Sequence, residues 1–283
     1  MTRQEFSDTF TTLLNSYNTI AQFGEQASQR EIVLDEYEKS VLLTQAQDLI
    51  VKSYFDGTLN VQGQGFDDSA RRQVDFSSLV TVKTLSTSAA TSKFDNRGIM
   101  FKLPLHENTS GTQVQDTCDV LFMLNERLDC ETVVAAGQNP TFGPKKSLVV
   151  VPISYKEYDR EMSKPFAQPL KKQAWRLFQN DATGYDIDSE LIVKQSIADK
   201  YKANPTAVGD IKITYKVRYV RRPNPIILED LPNELEIDGE SSASDCELNP
   251  ILHIDILNKA VELAIATRGG VQRQAQTQEA AGR

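Results

Sequence analysis

Histidine and cysteine are scarce in this chain, with two and three residues among 283, and each shortage narrows the chemistry. Cys118, Cys130 and Cys246 are odd in number and form no CxxC pair. That argues against a disulfide framework and against a zinc cluster, which needs four closely spaced ligands. Each cysteine also has acidic neighbours: Asp119 follows Cys118, Asp129 and Glu131 flank Cys130, and Asp245 and Glu247 flank Cys246. Nearby negative charge disfavours the thiolate, so all three are expected to be packed, unreactive thiols. His106 follows Pro104-Leu105 in an expected loop, and His253 falls within a C-terminal helix as a packed or solvated residue. Neither histidine belongs to an HExxH motif or a nucleophile elbow.

Long apolar runs are missing as well. The longest lies between Ser147 and Ser154, whereas a membrane-spanning helix takes about 20 apolar residues. No membrane partner is expected. Residues 1–6 include Glu5 and no apolar stretch, so they are not expected to serve as a secretory signal. An excess of positive charge is also absent. The 31 Lys and Arg against 39 Asp and Glu give a net charge of −8, with a pI of about 5.0. A strongly basic nucleic-acid binder has a pI above about 9, so diffuse coating of DNA by this surface is excluded. The 40% hydrophobic and 25% charged residues are those of an ordinary globular protein. A chain this long buries about 75% of its unfolded surface and needs neither metal nor disulfide to hold together.

The ligand motifs fail one by one. Gly63-Gln64-Gly65 has Asp68 where a dinucleotide fingerprint needs its third glycine. Gly143-Pro144-Lys145-Lys146-Ser147 has proline where a phosphate loop needs lysine. Asp186-Ile187-Asp188-Ser189-Glu190 is the most metal-like run, but a calcium loop beginning at Asp186 would place Leu191 and Ile197 at its glycine and glutamate positions. It is expected as an acidic loop before a strand. A hydrolase using Asp186, Asp188 and Glu190 with a divalent cation is the enzyme alternative.

What is present is pattern. Phe6, Phe10, Leu13, Leu14 and Tyr17 fall at helical spacing, predicting a helix over 3–23 with Thr2 as cap and Gly24 as stop. A second helix is predicted over 35–55, with Tyr37, Val41, Leu42, Gln45, Leu49 and Ile50 along one side. The two are expected to form an N-terminal helical hairpin over 1–57. From Gly98 the pattern turns to strands, including an apolar run at 120–124, a partly alternating stretch at 127–135 and a segment at 147–153 ending near Pro152. Ile211, Ile213, Tyr215, Val217 and Tyr219 alternate with Lys212, Thr214, Lys216 and Arg218 at strict period two, predicting a strand with one face in a core. Residues 191–197 are its expected neighbour. Residues 228–247, with Pro232 and Gly239, read as an acidic loop. A helix then starts at Pro250 and is expected to stop at Arg268-Gly269-Gly270.

These elements predict an α+β protein: the helical hairpin, a mostly antiparallel mixed body over 58–245, a C-terminal helix over 246–270 packing on it, and a tail over 271–283. The tail is rich in Gln and Ala, so it is expected to be flexible or ordered by a partner. Val271, Gln272, Arg273 and Gln274 are its candidate docking residues. Charge is unevenly placed along this acidic chain. Lys212, Lys216, Arg218, Arg221 and Arg222 gather on and just after one strand, while Glu229, Asp230, Glu234 and Glu236 follow at once. One reading is a solvated face. The other is a subunit interface, in which the basic patch of one copy meets the acidic loop of the next.

Four segments carry a resemblance: Leu43-Thr44-Gln45-Ala46-Gln47 within residues 34–47; Trp175-Arg176-Leu177; Tyr215-x-Val217-Arg218-Tyr219 running into Arg221-Arg222-Pro223-Asn224-Pro225-Ile226-Ile227; and Cys246-Glu247-Leu248-Asn249-Pro250 leading into the last helix. Together they resemble virion structural proteins of the crAss-like tailed phages, most of all a neck or head–tail connector protein. The resemblance implies no catalytic residue and no cofactor. It implies a dodecameric ring of identical subunits next to the portal protein, touching neighbouring ring or tail proteins and lining a channel through which packaged DNA passes without specific binding. Such a protein is made in the host bacterial cytoplasm and resides in the neck or tail of the virion. Another virion part, tail or cargo-associated, shares the same resemblance.

Overall fold

The computed structural model describes residues 1–21, 33–55, 70–85, 87, 95–107, 113–135, 137, 139–164, 168–180, 187–232 and 235–281. By internal contact the chain divides into two units, one built from residues 1–79 with 223–283, the other from 80–107 with 113–222. Residues 223–245, assigned to the body by linear order, group with the helices.

The first unit holds helices α1 (Arg3–Ala21), α2 (Glu36–Phe55), α3 (Ala70–Asp75) and α6 (His253–Ala281). Phe6, Phe10 and Leu14 are buried on α1, and Ile256, Leu257, Ala260, Val261 and Ala264 on α6. These i, i+4 spacings lay one apolar stripe along each helix. Helices α1 and α2 meet near their first turns, where the Lys39 ammonium donates to Ser7 Oγ at 2.9 Å and to Glu36 Oε1 at 2.7 Å. Each also packs along α6, so the expected N-terminal pair is completed by the C-terminal helix. His253 is packed rather than solvated: its ring lies 5.0 Å from that of Phe6, and Nε2 is 3.1 Å from the Leu248 carbonyl.

Of the α2 side read from sequence, only Ile50 is buried. Leu43, Ala46, Ile50 and Val51 are buried together with Ser40, Thr44 and Gln47, whereas Leu49 is 41% exposed. The polar trio is buried because it grips a strand-like segment without secondary structure of its own. Ser40 Oγ accepts from the Leu228 amide at 3.0 Å and Thr44 Oγ1 from that of Ile226 at 3.1 Å, while Gln47 Nε2 donates to the Asn224 carbonyl at 2.8 Å. Buried backbone groups must find partners, so the Pro-x-Pro-Ile-Ile segment demands polar residues at i, i+4 and i+7 of the helix. Apolar periodicity alone misses them.

Helix α6 continues past Gly269-Gly270 to Ala281. A glycine inside a helix costs roughly 1 kcal/mol relative to alanine, which weakens the helix without stopping it. The Gln- and Ala-rich sequence beyond it is helix-compatible.

The second unit is a curled mixed sheet in the order β1 (Val80–Leu85), β10 (Ile211–Arg221), β5 (Val120–Ala135), β7 (Lys146–Pro152), β8 (Gln173–Asn180), β9 (Ile187–Ile192), β2 (Gly98–Lys102), with β6 (Thr141–Phe142) pairing β5. All pairings are antiparallel except β7 with β8. A parallel pair needs a crossover, which α4 (Tyr155–Met162) supplies, started by a Ser154–Glu157 capping box. A bridge between Thr87 and Phe101 brings the chain beyond β1 against β2, so the sheet curls until its edges meet. Strands β3 (Leu105–Glu107) and β4 (Gln113–Cys118) form a separate pair. His106, expected in a loop, therefore lies on a strand. The two segments read separately at 120–124 and 127–135 are one strand, β5.

Strand β10 alternates as predicted, with Ile211, Ile213, Tyr215, Val217 and Tyr219 buried. Its neighbours are not. It pairs with β1 and β5, whereas residues 187–192 pair with β8 and β2 and then run into the short helix α5 (Gln195–Ala198). Period two fixes which face a residue takes, and says nothing about which strand lies alongside.

The acidic run is not a loop either. Asp188, Ser189 and Glu190 lie within β9 and are buried; Asp186 is outside the described residues. Glu190 Oε1 accepts from the Asp95 amide at 3.1 Å, and Gly98 leaves the room: a Cβ there would stand 1.9 Å from that oxygen. Asp95 is in turn held by Arg97, whose Nε and Nη2 donate at 3.0 and 2.5 Å, and by the Tyr158 hydroxyl at 2.7 Å. Burial raises its pKa, but the Arg97 and Tyr158 hydrogen bonds outweigh burial and hold the carboxyl at about 2. A depressed carboxyl stabilises the fold above its unfolded value and loses that contribution as pH falls. Urea midpoints should therefore drop between pH 3.8 and about 2, by an amount worth roughly 2 kcal/mol. In Asp95→Asn that part of the acid loss should vanish; an unchanged acid limb would remove Asp95 as its cause.

Candidate assembly surface

The outward face of β10 is the basic feature singled out in sequence, and its cross-strand neighbours give it a shape. Lys212, Lys216 and Arg218 are exposed. Register aligns Val82, Arg218 and Asn125 in one row and Thr84, Lys216, Arg127 and Val149 in the next. Val82 and Val149 are 60% and 62% exposed, so apolar side chains frame the cations.

Farther along the same face the charges balance internally. Asp129 takes Arg127 Nε at 2.7 Å, the Ser147 hydroxyl at 2.7 Å and Lys145 at 3.6 Å, and Lys145 also reaches Glu131 at 3.4 Å. Burial raises the Asp129 pKa, but the Ser147 and Arg127 bonds win and lower it. Lys212 sits opposite Glu131 and lies 5.2 Å from the Phe142 ring centroid. Lys216 and Arg218, by contrast, make no ion pair with a described residue. Arg221 and Arg222 separate from the group, being half-buried and engaged within the protein; the Arg222 amide donates to the Asp119 carbonyl at 2.9 Å. The structure thus brings together three of the five predicted basic residues and adds Arg127, which sequence order hides on another strand.

The described part of the acidic segment is tied together by backbone hydrogen bonds. Ile227 and Ser244 exchange backbone hydrogen bonds at 3.1 and 3.0 Å, and the Leu231 amide donates to the Ser241 carbonyl at 2.8 Å. Asp238-Gly239, with φ of 54° and 78°, makes a tight turn that needs the left-handed region glycine enters freely. Glu229, Asp230 and Glu236 are exposed on this scaffold, and Leu235 is 40% exposed beside them. Asp230 Oδ1 accepts from the Ala243 amide at 2.8 Å. Glu229 and Glu236 make no ion pair with a described residue. Glu234 lies outside the described residues, as do the side chains of Val271, Gln272, Arg273 and Gln274, although their backbone belongs to α6.

The first unit also has an apolar groove of 360 Å³, lined by Leu34, Tyr37, Val41, Leu42, Ala264 and Thr267. Tyr37, Val41 and Leu42, from the α2 side read in the sequence, line it together with Ala264 and Thr267 of α6. For metal chemistry, no group of three or more His, Cys, Asp or Glu among the described residues is placed to hold an ion. Burial pushes the thiols of Cys130 and Cys246 up to about 11, so both are protonated near neutral pH. Among the described residues, no helix is long and apolar enough to cross a membrane.

The described residues carry two charged surfaces of opposite sign, the outward face of β10 in the sheet unit and residues 229–236 in the helical unit, on an α+β fold with no metal-binding cluster among the described residues. Comparison with known sequences says what class of protein this is. The profile of the phage tail ring protein 3/4 family matches residues 1–278, and the chain belongs to that family. It is 40% identical over 275 residues to ring protein 4/5 of Bacteroides phage crAss001, covering 95% of this chain and 94% of that protein. It is 33% identical over 274 residues to ring protein 3 of the same phage, covering 95% and 96%. The resemblance to virion structural proteins of crAss-like phages holds along the whole length.

Proposed function

We propose that this protein is a repeating subunit of a homo-oligomeric ring in the virion neck, stacked next to the portal and joining capsid to tail. The observation that carries this reading is the match of residues 1–278 to a ring-protein family. The physical chemistry agrees. Complementary patches on different parts of one chain favour head-to-tail contacts, and such contacts close into a ring when the rotation permits. A dodecamer would match the portal. A net charge of −8 repels phosphate, so DNA moving down a channel lined by this protein is not retained. The partners are further copies, the portal, and adjoining ring or tail proteins; the chain is made in the host cytoplasm and ends in the virion.

Purified protein, alone or mixed with its portal, should form closed rings in negative-stain micrographs. Strictly monomeric particles that ignore the portal would overturn the proposal. The family description places its members in the tail, which supports a second reading, a ring farther from the portal. Cryo-EM of the virion separates the two by position.

The end of α6 has a part in this reading. The last buried side chain described on α6 is Ala264, and the Gln- and Ala-rich residues 271–283 are proposed to dock on a neighbour. Deleting 271–283 should leave the melting midpoint of the remaining protein within about 2 °C, because the segment has hardly any large apolar residue to bury. Co-assembly should fall several-fold. Undiminished co-assembly of the truncated chain would dismiss the docking role.

A further inference from the structure

Two surfaces of this molecule carry charged side chains of opposite sign that make no ion pair with a described residue. The first is the outward face of β10 with its neighbours, where Lys216 and Arg218 make no ion pair with a described residue and Arg127 is shared with Asp129 alone among carboxylates. The second is the 229–236 segment, where Glu229 and Glu236 likewise lack an ion pair with a described residue. We infer that these two surfaces bind each other between copies: the cationic rows of β10 on one protomer receive Glu229, Glu236 and Leu235 of the next. The inference rests on the ring reading and names the contact that would close it.

Three features favour this pairing over a merely solvated face. The basic rows are flanked by Val82 and Val149 at 60% and 62% exposure, and the acidic segment presents Leu235 at 40% exposure. Both partners therefore offer an apolar residue beside the charge, which is how a specific protein contact is composed. The basic rows lie on a hydrogen-bonded sheet, and the described acidic residues lie between the Ile227–Ser244 bridge and the Ile237–Glu240 turn, so part of the ordering cost of docking is already met. Finally, the patches carry opposite charge, which favours contact between two copies over contact of either patch with its own like.

DNA is the other anion that basic rows attract, and the same face argues against it. Asp129 and Glu131 lie two and four residues along β5 from Arg127 on that face, where they would repel a phosphate backbone. A surface for nucleic acid gathers cations without interspersed carboxylates and exposed valines.

The test compares wild type with Lys216→Glu/Arg218→Glu, with Glu229→Lys/Glu236→Lys, and with all four changes combined, by mass photometry and sedimentation over a range of concentration and salt. Each charge-reversed pair should raise the concentration for half-assembly at least tenfold. The combined variant should return to within about threefold of wild type, and salt should weaken wild-type assembly. All positions are exposed, so melting midpoints should stay at the wild-type value, confirming that the variants fold. Unchanged assembly of either reversed pair, or no recovery in the combination, overturns the inference while leaving the ring reading intact. A wild type that never associates, alone or with its portal, overturns the ring reading and this inference with it. Retention of a short DNA duplex that is lost in Lys216→Glu/Arg218→Glu, with assembly unaffected, would assign the face to nucleic acid instead.

Discussion

Arg176→Leu should destabilise the sheet unit by about 3–5 kcal/mol, the cost of leaving a buried charge without its partner. Arg176 Nη1 lies 3.0 Å from Glu126 Oε1, with the two side chains 9% and 8% exposed. The Tyr215 hydroxyl donates to Glu126 Oε2 at 2.7 Å, and the guanidinium stands 4.2 Å from the Phe178 ring centroid. These residues come from β5, β8 and β10, so one ionic cluster ties together strands that the curl of the sheet brings face to face. Burial already raises the Glu126 pKa, against the opposing pull of Arg176 and Tyr215. With the arginine gone, the carboxylate has lost the first of those two supports.

The readout is built in. Trp175, the single tryptophan of the chain, precedes Arg176 on β8, and its fluorescence follows this unit through a urea titration. Adding Glu126→Gln to Arg176→Leu should recover part of the loss, because a neutral amide no longer needs a counterion. The sign of the pH effect follows as well. A carboxyl with a raised folded pKa is stabilised in its protonated form, so stability falls as pH rises through that pKa. The deficit of Arg176→Leu should therefore shrink as pH is lowered toward 4.5, the ordinary glutamate value. A loss below about 1 kcal/mol at neutral pH would mean that water reaches the cluster and the pair is not truly buried.

Phe10→Ala should cost a similar amount, about 3–5 kcal/mol, by a different mechanism. Phe10 is fully buried between Phe6 and Leu14, which are each 1% exposed, and the stripe they form packs on α6. Removing a buried ring forfeits its transfer free energy and leaves a cavity whose walls lose contacts. The midpoint of the 222 nm dichroism, which reports helix, should move accordingly, whereas a neighbouring exposed change such as Asp8→Ala should shift it by no more than about 0.5 kcal/mol. If Phe10→Ala behaved like the surface change, α1 would not be packed as described. Because α6 also carries the 271–281 segment, this variant should lose assembly along with stability.

The secondary structure that announces itself locally was legible in the chain. The helices at both ends, the α+β class and the inward–outward alternation of β10 follow from spacing, since a 3.6 or 2.0 period decides which side chains share a face. The resemblance carried by the 215–228 and 246–263 segments led to the family, and the structure shows part of what those segments do. Residues 224–228 are held by Ser40, Thr44 and Gln47, and Asn249 caps the turn that begins the last helix by accepting from the Ile251 amide at 3.1 Å.

Partnership was not legible. Asp188 and Glu190 look like a solvated acidic run because charged residues are rarely buried, yet Glu190 lies inside the sheet on a hydrogen bond from Asp95, 95 residues earlier. Helix α2 presents Tyr37, Val41 and Leu42 to a groove and buries Ser40, Thr44 and Gln47 beside Leu43, Ala46 and Ile50, because distant backbone groups take the polar side chains as partners. The chain by itself determined the classes of its elements, its acidic balance of 31 against 39, and the clustering of cations on β10. Only the tertiary structure decided that Lys216 and Arg218 stand beside Arg127, Val82 and Val149 without an ion pair to a described residue, while Arg221 and Arg222 turn to internal contacts. Periodicity is a property of neighbouring residues, whereas charge compensation is settled by strands that meet from far along the chain, as β10 and β5 do where Lys216 lies opposite Arg127.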